Sequence, residues 1–150
     1  MPANFIINRY PDFQLLAPAV NVIFRNIAAA ENAYLKSVQV IVTGDKDLNA
    51  LKKRYFQDDV FTDTISFNYN EPGQPIEGEI YLSIDRIQEN AAQYNSSFRS
   101  ELMLVLIHSL LHLIGYEDNT ATGRTRMEQR QQAYLDKIHP KYLYRIFHRQ

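Results

Sequence analysis

The spacing of hydrophobic and polar residues changes several times along the chain, and these changes predict a mixture of strands and helices. Short runs that alternate or carry β-branched residues predict strands at residues 5–8, 37–43, 62–67 and 79–84. Longer runs with helical spacing predict helices at residues 18–30, 46–55, 85–94, 97–114 and 120–136. Asp85 and Ser97 are residue types that cap helix N-termini, and we place the third and fourth helices directly after them.

Residues 70–78 contain two prolines and two glycines and are predicted to form a loop. No repeat or linker divides the chain, so the pattern predicts a single domain over residues 1–150. Its fold class is α+β, with a small mixed sheet of about four strands packed against about five helices.

The longest apolar run, residues 102–114, contains two histidines and is followed by a glycine and an acid. His108 and His112 stand four residues apart, so both imidazoles lie on one helix face, with Cβ atoms about 5–6 Å apart. Gly115 is the residue type that ends a helix in the left-handed conformation, and Asp118 follows that turn as a possible third ligand. A single histidine on such a face is more often a core residue. The pair with the glycine and the acid predicts a metal site with one open position.

Composition narrows both the chemistry of this site and the class of the protein. The chain is 45% hydrophobic and 22% charged, which is ordinary for a globular domain. It has no cysteine, so histidines and carboxylates must hold any metal. The net charge of −1 means that binding to nucleic acid would need a local basic patch. The N-terminus does not resemble a secretory signal and the apolar run is too short to cross a bilayer, so we expect a cytoplasmic protein without a membrane partner.

The histidine spacing also overlays the zincin metallopeptidase pattern H-E-x-x-H-x-x-G-x-x-H, with two differences. Ser109 stands where that pattern has the glutamate that acts as general base, which argues against a peptidase. Asp118 stands at the third histidine and keeps the site chemically sound, because a carboxylate is a normal zinc ligand.

Three further segments extend the pattern around the histidines. The segment His108–Asp118 reads HSLLHLIGYED, and residues 62–67 read TDTISF, with Leu-Asn before that strand at residues 48–49 and Gly-Glu-Ile after it at residues 78–80. Together they resemble the YbeY family of bacterial metal-dependent endoribonucleases, whose motifs are H-G-x-L-H-L-x-G-Y-D-H, T-[DN]-V-L-S-F and G-[DE]-I. The resemblance implies cleavage of single-stranded ribosomal RNA during maturation of the 3′ end of 16S ribosomal RNA and in ribosome quality control. It also implies the ribosome or ribosomal proteins as partners.

The chain departs from the family pattern at three positions. The family's third histidine is Asp118 here, and the glycine after the first histidine is Ser109. The arginine of the family's Y-R-x-x-D element falls on Phe56, in the sequence YFQDD at residues 55–59. If that arginine contacts phosphate, another cation must do so in this chain, and Lys53 and Arg54 are the nearest candidates.

Several other charged residues are candidates for functional roles. Glu117 is a candidate general base beside the metal, or else a solvent-facing acid. Glu101 lies seven residues before His108 on the same helix face and is expected to be a solvated acid of the first helical turn, the alternative being a contact that supports the metal ligands. Residues 137–149 contain four cations and no acid among aromatic residues, a mixture that suits single-stranded RNA. The alternative is that Tyr142 and Ile146 pack on the domain. The candidate RNA contacts are Arg54, Arg99, Lys141 and Arg145, and Lys52 and Lys53 are candidates to extend a basic surface beside Arg54.

These observations predict a zinc-dependent endoribonuclease, a hydrolase with one Zn²⁺ held by His108, His112 and Asp118. Two alternatives remain open at this stage. One is a zincin-like metallohydrolase acting on a peptide or amide. The other is a ribosome assembly factor whose metal is structural and not catalytic.

Overall fold

The computed structural model describes residues 4–57 and 61–149, so Asp58 and Asp59 of the YFQDD segment lie outside the described residues. The described residues form six strands, β1 (Asn4–Asn8), β2 (Phe13–Leu15), β3 (Leu35–Thr43), β4 (Thr64–Asn68), β5 (Ile76–Ser83) and β6 (Phe147–Arg149). They also form six helices, α1 (Ala17–Ala30), α2 (Asp45–Phe56), α3 (Ile84–Gln93), α4 (Phe98–Ile114), α5 (Ala121–Lys137) and α6 (Pro140–Tyr144).

Four of the strands make the main sheet, in the order β1-β3-β5-β4. The first three are parallel, with Ile6 opposite Val40 and Val40 opposite Ile80. The last strand, β4, is antiparallel to β5, with Ser66 opposite Ile80. In the interior strand β3, residues 40–43 are buried in succession, because this strand is covered on both faces, as parallel strands usually are.

Helix α4 is the core helix of the domain and packs across the sheet. Leu102, Leu106 and Leu110 are at most 1% exposed. Two polar contacts fix its C-terminal half to β4: the Ser109 and Thr64 hydroxyls lie 2.8 Å apart, and the Asn68 amide donates to the Leu113 carbonyl at 2.8 Å. Within the described residues no single helix has the length and apolarity to span a membrane, and only the α3–α4 pair, bent by 118°, meets those criteria jointly.

The α+β prediction is confirmed, and every predicted strand and helix overlaps an observed one. The predicted loop at residues 70–78 is wrong at its end, because β5 already begins at Ile76. The backbone N–H of Ile76 donates to the Tyr34 carbonyl at 2.8 Å, and Ile76 pairs with Leu35 of β3. Gly78 lies inside this strand, where a Cβ would stand 2.4 Å from the Phe67 carbonyl oxygen. Gly78 therefore allows two strands to pack closely, and it does not form a turn.

Two acids have roles that differ from those predicted. Helix α3 is capped by Ser83, whose hydroxyl accepts from the Arg86 amide, whereas Asp85 accepts from the Asp45 amide at the start of α2. Glu101 is only 9% exposed, so the prediction of a solvated acid is wrong. Burial raises the pKa of Glu101, and the neighbouring charge of Asp63 raises it further.

The C-terminal segment contains a helix and a strand that the hydrophobic pattern does not predict. Strand β6 pairs antiparallel with β2, another short strand absent from the prediction. Ile146 is fully buried and its carbonyl accepts from the Leu16 amide at 2.9 Å. The Phe147 ring stacks on Phe13 at 5.2 Å. The segment is therefore an integral part of the domain, as the packing alternative proposed.

Candidate metal centre

His108 and His112 lie one turn apart in the last part of α4 and share a face. Their ring centroids are 4.6 Å apart and the ring planes are nearly perpendicular, at 84°. Each side chain is just over a quarter exposed, at 27% for His108 and 29% for His112. The helix thus presents two imidazoles that are partly buried but reachable from solvent.

A tight turn at the end of α4 returns the chain toward these histidines. Gly115 has a φ of +126°, which an L side chain rarely adopts, and its N–H donates to the Leu111 and His112 carbonyls. The next amide, of Tyr116, also donates to the Leu111 carbonyl, at 3.0 Å. This closure of the helix end brings Asp118 back, so that its Oδ2 lies 3.6 Å from His108 Nε2 and 3.4 Å from His112 Nε2.

Hydrogen bonds fix the orientation of both imidazoles. His108 Nδ1 donates to Gln131 Oε1 of α5 at 2.5 Å, and His112 Nδ1 donates to the Tyr116 carbonyl at 3.1 Å. With Nδ1 donating in each ring, Nε2 is the nitrogen left to bind a metal, and it is the nitrogen that lies near Asp118. Burial lowers the pKa of His112, and the charge of His108 lowers it further, which favours the neutral form that binds metal.

The three side chains fit a single divalent ion. Their ligand atoms all lie within 4.8 Å of one another. The separations of 3.4 and 3.6 Å exceed the roughly 2.7–2.9 Å of a direct charge-assisted hydrogen bond. They are close to the ~3.4 Å expected between two ligands of a tetrahedral ion with bonds near 2.0–2.1 Å. These separations are compatible with three ligands of one ion, and two imidazoles and a carboxylate are a donor set that zinc accepts.

Helix α5 is held in position by Glu31, at the end of α1. Its carboxylate accepts from the Tyr116 hydroxyl at 2.7 Å and from the Tyr134 hydroxyl, and it lies 3.9 Å from the Arg130 guanidinium. Burial and the bond to Glu31 raise the pKa of Tyr116, which keeps this donor protonated. Since Gln131 lies between Arg130 and Tyr134 in sequence, the same contacts hold the partner of His108 in place.

The candidate metal centre opens into a cleft of about 730 Å³, which we call the metal cleft. Its walls come from α2, from β4 and the residues before it, from the end of α4 and from the turn at Gly115. Lys52 and Phe56 line it from α2, and Asp63 lines it just before β4. Burial raises the pKa of Asp63, while the charge of His108 acts in the opposite direction.

The sequence-predicted residues of the α4 motif have different environments. The structure brings His108, His112 and Asp118 together, as described above. Glu117 lines the metal cleft but is exposed. Ser109 is fully buried, where its hydroxyl donates to the Val105 carbonyl at 2.7 Å and contacts Thr64. It therefore anchors α4 to the sheet, and it does not occupy the place of a catalytic base.

The predicted RNA-contacting cations lie outside the metal cleft, whose described lining includes none of the four. Arg54 is exposed on α2, with its guanidinium 5.4 Å from the Tyr55 ring centroid. Arg99 donates to the Leu143 and Tyr144 carbonyls at 2.7 and 3.1 Å, so it holds the C-terminal segment on α4. Lys141 and Arg145 are exposed on α6 and at its end.

Sequence reasoning missed two residues that shape the site, Gln131 and Asp63, and it considered Lys52 only as part of a basic surface and not as a residue of the metal cleft. Gln131 stands 23 positions after His108 in a polar helix, and nothing in its local pattern distinguishes it. Lys52 had a usable signal, because it lies four residues before Phe56 and must share its helix face. Asp63 also had a usable signal, because it is an acid that stands directly before the strand in the TDTISF segment.

The geometry defines a metal-binding α+β domain with two histidines and a carboxylate at an open cleft, and the comparisons with known proteins specify its family. A sequence model described as endoribonuclease YbeY matches residues 9–139. The protein named Endoribonuclease YbeY from Chlorobaculum parvum is 39% identical over 127 residues, covering 85% of this chain and 86% of that protein. Its namesake from Amoebophilus asiaticus is 36% identical over 138 residues, covering 90% and 94%. The chain belongs to the endoribonuclease YbeY family, which confirms the resemblance seen in its motifs.

A solved structure supports the fold. The solution structure of the Thermotoga maritima protein TM1509 superposes with a TM-score of 0.60 at 20% identity, covering 94% of this chain and 89% of that one. At this identity the likeness concerns the arrangement of helices and strands alone.

Proposed function

We propose that this protein is a metal-dependent endoribonuclease that cleaves single-stranded RNA at the metal cleft. The observation that carries the proposal is the convergence of His108 Nε2, His112 Nε2 and Asp118 Oδ2 around one point that faces the cleft. The name endoribonuclease, shared by the relatives, supports RNA as the substrate class. The buried Ser109 offers no base for peptide hydrolysis and gives no support to a zincin-like peptidase.

We propose zinc as the ion, bound one per chain. The donor set of two imidazoles and one carboxylate suits zinc, whereas magnesium and calcium prefer oxygen ligands throughout. When bound, the ion would act as a Lewis acid on the phosphodiester. Gln131 and the Tyr116 carbonyl keep the two Nε2 atoms aimed at it.

Other residues of the cleft would bind the phosphate and transfer protons. Lys52 is the cation of the cleft wall, placed to offset negative charge on a bound phosphate. Glu117 and Asp63 are carboxylates available for proton transfer. Burial raises the pKa of Asp63, which makes its carboxylate a better proton acceptor than an ordinary aspartate. We further propose that the protein acts in the maturation of ribosomal RNA, associates with the ribosome and is located in the cytoplasm. Membership of the family supports the role in ribosomal RNA maturation.

The test compares RNA cleavage and metal content in matched variants. Protein purified without chelator or nickel resin is incubated with end-labelled single-stranded RNA, the same RNA as a duplex, and a peptide library. We expect cleavage of the single strand and about one zinc per chain. His108→Ala should lose both, whereas His148→Ala, at an exposed histidine of β6, should lose neither.

Peptide cleavage by the wild type would favour the zincin-like alternative. Tight zinc with no cleavage of any RNA, and with retained binding to ribosomes, would favour the assembly factor.

A further inference from the structure

A group of three aromatic rings lies at the end of α2 and on β4, and one of them, Phe56, lines the metal cleft. The aromatic platform consists of Tyr55, Phe56 and Phe67. Phe56 lies nearly parallel to Phe67, at 6.1 Å between centroids and 22° between planes, and Tyr55 meets Phe67 edge-on at 5.5 Å. Phe67 is backed in turn by Tyr81, at 5.9 Å. The platform is therefore supported from beneath by the sheet.

Phe56 is the member of this group that reaches the metal cleft. It is the last residue of α2 and is 52% exposed, although one of its faces is covered by Phe67. Tyr55 is 56% exposed but lies under the Arg54 guanidinium. Among the exposed large hydrophobic side chains of the described residues, Phe56 is the one that lines the metal cleft.

A lysine, Lys52, lies beside this ring on α2. Lys52 stands one helical turn before Phe56 on the same face of α2, and both side chains line the cleft that holds the metal ligands. A cation and an aromatic face side by side are the two elements with which proteins bind unpaired nucleotides. The cation contacts the phosphate, and the ring accepts a base of any sequence. Scattered exposed rings need no explanation, but a supported ring inside a site does.

We propose that Phe56 is a base-stacking residue: its open face receives an unpaired base of single-stranded RNA, while Lys52 contacts the adjoining phosphate. This inference rests on the proposed function and names the element of the site that selects unpaired RNA. In a duplex each base is already stacked on both sides, so it has no face to offer. A base that stacks on Phe56 would hold the strand across the metal ligands.

The test measures binding, so that it does not depend on catalysis. Fluorescence anisotropy gives the Kd for a short single-stranded RNA, under conditions in which gels show the RNA intact. Phe56→Leu retains apolar bulk against Phe67 but removes the stacking face, and should weaken binding roughly 5- to 100-fold. Phe56→Trp should keep the affinity. The matched control is Tyr94→Leu, at a 66% exposed tyrosine at the end of α3, and should leave the Kd unchanged.

A second measurement separates stacking from packing. A single abasic position is moved along the RNA, and we expect one position at which its loss weakens binding to the wild type. Phe56→Leu should show no such position, because the base there no longer has a partner. Persistence of that position in Phe56→Leu, or an unchanged Kd, would overturn the proposal. Failure of the wild type to cleave RNA while this pattern holds would instead refute the proposed nuclease activity alone.

Discussion

Two stretches of this chain mix cations with aromatic residues, and the fold uses them differently. In residues 137–149 the apolar side chains pack: Ile146 is fully buried, Phe147 stacks on Phe13, and Arg99 donates to two backbone carbonyls of the segment. In residues 52–56 the aromatic side chain is instead left exposed. Phe56 stays half exposed in the metal cleft, and Lys52 lines the cleft beside it.

Composition alone therefore identifies neither stretch as an RNA surface. The C-terminal stretch has the more persuasive composition, with four cations and no acid. What decides is where the aromatic rings find partners. Strand β2 offers the C-terminal rings an apolar neighbour and an open strand edge, whereas α2 ends beside the metal cleft and leaves Phe56 with one face free.

The most drastic way to break this comparison is to remove residues 141–150. We expect loss of the fold, because β2 would lose its partner strand and the core would lose Ile146. The point variant Ile146→Ala should lower the free energy of unfolding by about 2–5 kcal/mol, measured by urea denaturation followed by circular dichroism. Arg145→Ala, at its exposed neighbour, should change it by less than about 0.5 kcal/mol. If the truncated chain unfolds cooperatively at the wild-type temperature but binds RNA weakly, residues 141–150 would be an RNA-binding surface after all.

The second prediction concerns the metal. His108→Ala or His112→Ala should abolish zinc binding, because two remaining ligands do not hold the ion tightly. Gln131→Ala should weaken it by about 10- to 100-fold, since the His108 ring loses its hydrogen-bond partner. Competition titration against a chromophoric chelator gives the affinities. Stoichiometric zinc in the double histidine variant would contradict the site.

The third prediction distinguishes the two acids after the turn. Asp118→Ala should reduce zinc affinity well beyond Glu117→Ala, because Asp118 Oδ2 faces both Nε2 atoms while Glu117 is exposed. Asp118→His should restore a three-ligand site. Isothermal titration calorimetry of the three variants measures the difference. Equal losses in the two alanine variants would show that the wrong acid has been assigned.

The smallest expected effect sharpens the comparison directly. Lys52→Ala should reduce the slope of log K against log salt for single-stranded RNA by about 0.7, the value for one phosphate contact. Lys141→Ala, at an exposed lysine of α6, should leave the slope unchanged. Anisotropy titrations at several salt concentrations measure both slopes. A reduced slope for Lys141→Ala alone would place the phosphate contact on the C-terminal segment.

The sequence predicts well whatever depends on local spacing. Helical periodicity places His108 and His112 on one face, and Gly115 marks the turn that returns Asp118 to them. Contacts between distant segments have no such signal. The bond from His108 to Gln131 needs α5 to dock on α4, and the docking depends on Glu31 from α1. The strand β6 needs β2 as its partner, and neither short strand has a pattern of its own.

The position of Asp118 on the turn between α4 and α5 has a consequence for the order in which parts of the protein unfold. Two of the candidate ligands, His108 and His112, belong to the core helix α4, and the third, Asp118, belongs to the turn before α5. A bound ion would therefore join a buried helix to a segment with little burial. Chelation should therefore speed amide hydrogen exchange first in residues 116–120 and the start of α5. The amides of α4 should stay protected until global unfolding. In this protein the ion would stabilise the turn locally, and the domain would fold without it.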